Sequence, residues 1–350
     1  MFVRATSWIV LVASQERIHE ITLNNTNETP TLIRTSLKSI LGSRGMAYRL
    51  KDDEGFSHGV KRIVLDQIDK ALAKLKPTVR NKDEAIHDVR VSVKKIRALL
   101  RLIRDSLGKT YKVEDKAYRE VGRNLSKVRD SAAMLETIDT LTEHFADQLA
   151  GDAFASIRTP LRQAKTRRPQ ARKQSMREAA KSLREARKRL KDWPSITTQQ
   201  SLSRGLKRVF KNGRTSFDAA VNQPGVETFH EWRKQVKHLL NQTRILSPLW
   251  GNMMNAWATE LKTLGKYLSE DHDLALLRDE VSDLLDDAED PTDIEALIAL
   301  IDQRRNELQL NAKTLGTRIY AETPKTFVAR TKIYWQAWRS EVKNDPIVLG

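Results

Sequence analysis

The chain contains no cysteine. Disulfides, a thiolate nucleophile and cysteine-ligated zinc are excluded together. Long apolar runs are missing too. The run near the start, Trp8 to Ala13, is far short of the roughly 20 residues of a transmembrane helix and too short for a signal-peptide core. Membrane insertion is not expected, and the chain is read as cytoplasmic. The sequence has neither a Gly-x-x-x-x-Gly-Lys phosphate loop nor a Gly-x-Gly-x-x-Gly turn. Its seven histidines form no His-x-x-x-His pair, and Asp271-His272-Asp273 is too crowded for a ligand set, so neither a metal nor a cofactor is expected. Nothing pairs a nucleophile with a base. The pattern points to binding rather than catalysis.

Charge, by contrast, is abundant. Lys and Arg number 62 against 45 Asp and Glu, a net charge of +17 with a pI near 9.9. Such an excess suits an acidic partner: nucleic acid, an anionic membrane or another polyanion. The charge is uneven. Between Arg158 and Lys191 lie 14 Lys or Arg and two acids, whereas Asp279 to Glu295 holds nine acids and no base. The basic block also carries Leu161, Ala179, Ala180, Leu183, Ala186 and Leu190, which predicts a helix with a thin apolar side rather than a loose arm.

Helical periodicity begins near Ser57, a potential cap, with Ile63, Ile68, Leu72 and Leu75 on one side. Helices are expected near 58–76, 83–107, 112–149, 152–190, 199–221, 226–247, 252–286, 291–322 and 324–343, punctuated by Pro77, Gly108, Gly151, Pro194, Pro224-Gly225, Gly251 and Pro291. Residues 1–45 show no sustained period. They are read as a loose extension or the product of an upstream start, with Met46 as the alternative beginning. Of the seven tryptophans, Trp232 and Trp250 fall on an apolar arc and are expected in the core.

An offset of 143 residues superposes the two halves without a gap, with 11 of 46 positions identical over 87–132. The matches include His87/His230, Arg90/Arg233, Val93/Val236, Lys94/Lys237, Arg101/Arg244, Gly122/Gly265 and Asp130/Asp273. Two copies of one helical bundle are expected, over 46–194 and 195–345. Wound as a helix, His87, Arg90, Lys94, Arg97 and Arg101 share an arc of about 80°, beside an apolar stripe through Ile86, Val89, Val93, Ile96 and Leu100. The second copy repeats this with His230, Arg233, Lys237 and Arg244, and Leu240 stands where Arg97 does. The following helix adds Lys112, Lys116, Arg119, Arg123 and Lys127, of which copy two keeps Lys262 and Lys266. Aligned like charges on neighbouring helices repel unless an anion lies between them. Guanidinium and ammonium groups at helical rise suit a linear polyanion. His87 and His230 are read as phosphate donors or as histidines bonding a neighbouring helix. Asp130 and Asp273 are read as orienting a base of the row. Gly122 and Gly265 are attributed to close helix packing, or to close approach of a ligand.

The run His-x-x-Arg-x-x-Val-Lys-Lys-Ile-Arg at 87–97, Leu-Ser-Lys-Val-Arg-Asp at 125–130 and their second copy resemble the CHAD domain, a helical domain named for its histidines. The likeness covers about residues 46–345. It implies an all-α fold of two four-helix bundles related by a pseudo-twofold, around a basic central cavity that binds inorganic polyphosphate. Some members are fused to a triphosphate-tunnel enzyme domain; this chain has too little on its N-terminal side for one, which implies a standalone, non-enzymatic binding module. Some standalone members associate with polyphosphate granules. The resemblance carries polyphosphate binding onto His87, Arg90, Lys94, Arg97, Arg101 and Arg129, and onto His230, Arg233, Lys237 and Arg244. It adds Arg204, Lys207, Arg208, Lys211 and Arg214 on the opening helix of the second copy. Leu240, Gln242 and His238 depart from the pattern. Nucleic-acid binding at low salt, an enzyme acting on phosphate chains, and a scaffold tethered through 158–191 are the rival readings.

Overall fold

The structure is a computed structural model that describes residues 48–126, 130–149, 153–159, 169–284 and 291–343. The chain divides after Ala47 into two units, and all described residues belong to the second. The extension read over 1–45, with Met46, lies outside them.

Helices account for nearly everything, and no strand occurs among the described residues. Helix α1 spans Phe56–Lys74 and α2 Lys82–Leu102; α3 spans Lys109–Ser126, α4 Asp130–His144 and α5 Pro169–Arg189. After a turn of π-helix at Ser201–Gly205 come α6 (Leu206–Asn222), α7 (Val226–Ile245), α8 (Gly251–Ser282), α9 (Thr292–Ile319) and α10 (Pro324–Lys343). Three expected helices end differently. The span 83–107 breaks at Ile103 into α2 and a separate turn of helix, Arg104–Leu107. The span 112–149 is helical over its described residues up to His144, with turns from Phe145, and of 152–190 the described helical parts are 155–159 and 169–189.

Local chemistry fixes the ends. Asn81 caps α2 by accepting from the Glu84 N–H at 3.1 Å, and Asp83 and Glu84 face the helix dipole in the first turn. Ser57 does not cap α1. The helix starts one residue earlier, after Gly55, and the Ser57 hydroxyl accepts from the Ile196 N–H at 3.1 Å. Distant packing has claimed a group that local pattern assigns to the helix start.

Helices α1, α2, α3 and α5 pack as one four-helix bundle, and α6, α7, α8 and the C-terminal part of α9 as another, with α10 against α6. The stripe expected on α2 is its buried face: Ile86, Val89, Val93, Ile96 and Leu100 are all at most 2% exposed. Each contributes about 1.5–3 kcal/mol by leaving water. From Pro169 on, the basic block forms α5, whose Met176, Ala179, Ala180, Leu183 and Ala186 are buried; Leu161 lies outside the described residues. Its cations meet acids of neighbouring helices: Arg187 with Asp69 at 2.8 Å, Arg172 with Asp83 at 3.3 Å, and Arg189 with the buried Glu114 at 2.8 Å. One apolar core runs through both bundles. A second unites α4 and 153–159 with the far halves of α8 and α9, through Ile138, Phe145, Phe154, Leu277 and Leu297.

Trp232 is fully buried, but Trp250 is 51% exposed. Helix α7 stops at Ile245, so Trp250 lies beyond its arc, at the N-cap of α8, edge-on to Tyr334.

The bundles meet where α2 crosses α7. Buried Gln242 donates from Nε2 to the Ala98 carbonyl at 2.9 Å, and Arg244 lies near Lys95 just as Arg101 lies near His238. The 143-residue offset turns the first of these pairs into the second. Just beyond, Gly205 sits against the end of α2: a Cβ there would stand 1.8 Å from the Leu102 carbonyl oxygen. Nothing lies within 4 Å of a Cβ added at Gly251. Gly205→Ala is therefore expected to lower unfolding stability by about 2–3 kcal/mol in denaturant titration, and Gly251→Ala by much less.

Candidate functional site

Helices α2 and α3 lie side by side, and the gap between them is a cleft of about 300 Å³. Arg90, Lys94 and Arg97 line it from α2, and Arg119 and Arg123 from α3. Five cations thus share one concavity because both helices turn their apolar stripes to the core and leave their basic rows side by side. Val93, Tyr118, Gly122 and Ser126 complete the lining.

The arginines are held by an internal anion. Asp115 is 3% exposed and accepts from Arg97 Nε at 3.0 Å, Arg101 Nη1 at 3.3 Å and Arg119 Nη2 at 2.6 Å. Burial acts to raise the Asp115 pKa, but the hydrogen bonds from Arg119 and Arg97 outweigh it and keep the carboxyl below its ordinary value. One carboxylate cannot neutralise three guanidiniums, so the corner keeps a net positive charge.

No residue of copy two lines the cleft, but its basic row lies within electrostatic reach of Lys94 and Arg90. Lys237 on α7 is pushed down to about 7, by burial first and then by Arg233, Lys94 and Arg90, against the opposing pull of Asp273. The basic rows of both copies therefore converge, with Lys94 and Lys237 related by the repeat. Burial also lowers Arg233, whose Nε donates to Ser269 Oγ at 3.3 Å. His230 lies with its Nδ1 3.3 Å from that of His272. Burial and then Lys234 and Arg233 lower His230; burial and then Arg233, His230, Lys237 and Lys94 push His272 down to about 3. Positive charge is crowded here against its own electrostatic cost.

The other expected residues are distributed as follows. His87 is exposed on α2, outside the cleft lining, and Lys266 is exposed on α8. Arg101 lies behind the cleft on Asp115, and Arg244 beside Lys95 and Tyr48. On and before α6, Arg204, Lys207 and Lys211 are exposed, while Arg208 pairs with Asp105 at 3.1 Å and Arg214 donates to the Glu322 carbonyl at 3.3 Å. Asp273, exposed on α8, acts on Arg233 and Lys237 through its charge, which acts to raise the pKa of both. Arg129, Lys127 and the side chain of Asp130 lie outside the described residues. The Asp271 carboxylate is taken up by Arg305 at 3.1 Å and Gln309 at 2.9 Å.

The CHAD domain family model matches residues 62–282. The chain belongs to the CHAD domain family. Among solved structures, the crystal structure of the CHAD domain from the plant Ricinus communis is similar, with a TM-score of 0.59 at 13% identity, covering 79% of this chain and 96% of that one. At that identity the likeness is one of fold. No curated protein sequence matches the chain.

Within this CHAD domain the two halves are unequal, and the differences are coupled. Where copy one has Arg97, Asp115 and Tyr118, copy two has Leu240, Ala258 and Leu261. Loss of the arginine accompanies loss of the carboxylate that bonds it, so Leu240 is a paired replacement. Asp115 was the residue sequence reasoning missed. Its signal was an acid in the middle of the α3 basic row, three residues after Lys112 and four before Arg119. Close packing does not explain Gly122 and Gly265. A Cβ on either would stand 3.7 Å from Val93 or Val236, an ordinary contact, and Gly122 opens on the cleft. The serines four residues on, Ser126 and Ser269, donate back to the two glycine carbonyls.

Lys237 carries a testable cost. Its folded pKa is depressed below the unfolded value of about 10.5, so the lysine costs the fold nothing above that pH, and the cost grows as pH falls toward about 7. Lys237→Met is expected to raise stability by about 1–2 kcal/mol near neutral pH. In thermal melts the gap over wild type should widen from pH 10 to pH 7 and level off below.

Proposed function

We propose that this CHAD domain is a non-enzymatic module that binds inorganic polyphosphate, with the chain laid along the α2–α3 cleft and across to the α7 cations. The observation that carries the reading is the convergence of Arg90 and Lys94 with Arg233 and Lys237, beside three arginines held by Asp115. A linear phosphate chain presents oxyanions at intervals that a helical row of donors can meet one after another. Duplex DNA is wider than a gap of this size, although a net charge of +17 will hold nucleic acid weakly at low salt. Binding rather than turnover is proposed because the carboxylate nearest the arginines, Asp115, is committed to three hydrogen bonds and is held ionised. Exposed Arg204, Lys207 and Lys211 would extend the track for longer chains. Residence in the cytoplasm, on polyphosphate granules, is part of the same proposal and rests on the family resemblance.

Counterion release should dominate the affinity. Long-chain polyphosphate is expected to lose on the order of a thousandfold in affinity between 50 and 200 mM salt. It should displace DNA at far lower phosphate concentration than DNA displaces it. The double variants Arg90→Glu/Lys94→Glu and Arg233→Glu/Lys237→Glu are each expected to bind at least about 100-fold more weakly, with helical circular dichroism unchanged. Folded variants that bind as wild type does would contradict the proposal.

A further inference from the structure

A second, larger cleft of about 520 Å³ lies in the first bundle between the α1–α2 turn and the start of α5. Buried Leu75 and Met176 and the Pro77 ring give it an apolar lining, and Lys76, Lys173 and Arg177 are exposed cations around it. Lys82 and Arg172 are partly spent within the bundle, on the Pro77 carbonyl at 2.9 Å and on Asp83 at 3.3 Å. The buried Arg172 Nε has no hydrogen-bond partner. A bare phosphate chain would leave the apolar lining unused, so this cleft calls for an occupant that is both acidic and apolar.

The chain carries such a surface itself. On the last turns of α8 and just past its end, Leu276, Asp279, Glu280, Asp283 and Leu284 recur at helical spacing and all are exposed, Leu276 by 47% and Leu284 by 37%. The Asp283 and Leu284 N–H groups still bond the Asp279 and Val281 carbonyls, so the winding reaches Leu284. Two leucines flanking three carboxylates match an apolar lining ringed by three cations. We infer that the α8 end of one copy docks into the α1–α2–α5 cleft of a second copy, a helix-in-groove contact. The two surfaces are different patches, so the association is head-to-tail and can continue beyond a dimer. The net charge of +17 opposes it at long range, but at 0.1 M salt the Debye length of about 10 Å screens that repulsion more than it screens the docked contact.

Sedimentation velocity of the full chain, freed of polyanions and followed over concentration at 0.1 M salt, tests this. The weight-average mass should rise above 40.1 kDa with concentration and fall back in 1 M salt. Lys173→Glu/Arg177→Glu and Glu280→Lys/Asp283→Lys should each sediment as monomers, and an equimolar mixture of the two should associate again, since each then offers the charge the other needs. Arg90→Glu/Lys94→Glu should associate as wild type does, which separates this contact from the polyphosphate reading. The inference is overturned if wild type stays monomeric, if either charge-reversed variant associates alone, if the mixture fails to recover, or if the Arg90→Glu/Lys94→Glu variant loses association.

Discussion

Two helices with cations along one side cross so that those sides converge, and the rest of the molecule follows from holding them there. Helices α2 and α7 are joined through a buried contact, Gln242 to the Ala98 carbonyl, between flanks packed with Leu, Ile and Val. The apolar burial is large enough to impose the crossing on groups that repel. Each bundle supplies one of the helices, and a single core running through both keeps them from separating. The convergence of Lys94 with Lys237 is thus a consequence of how the two apolar faces pack.

The molecule relieves that repulsion unevenly. In the first half a buried aspartate gathers three guanidiniums, ordering them at the edge of an open cleft. In the second half the corresponding positions are apolar, and the surplus charge is met by partial deprotonation of Lys237 and by neutral histidines. Copy one supplies fixed, paired arginines. Copy two supplies groups whose charge can rise when an anion arrives. On the proposed reading, a polyanion crossing from one to the other would meet both kinds of site.

Much of this was legible in sequence because it rests on periodicity. The apolar stripe of α2 and the cationic arc beside it differ only in angle around one helix, and angle is fixed by residue number. The repeat multiplied that signal. What was not legible depended on partners far away in sequence. Ser57 looked like a cap until Ile196 claimed it. Trp250 looked like a core residue until α7 ended before it. Arg208 looked like a free cation in the ligand track, and its charge meets Asp105 more than one hundred residues earlier in the chain. Asp115 was hidden for the same reason: its three arginines lie on two helices, and only packing brings them to one carboxylate. The glycines at 122 and 265 were read as close packing, yet a Cβ at either would make only an ordinary contact.

The central claim is that cations held here against their own repulsion are waiting for an anion. An anion beside Lys237 must raise its pKa from about 7, so binding near pH 8 must take up protons from solution. Calorimetric titration with long-chain polyphosphate, repeated in buffers of different ionisation enthalpy at pH 8, reads that uptake directly. The account predicts net proton uptake in wild type and a clear reduction in Lys237→Met. Tight binding with no proton uptake in wild type would contradict it.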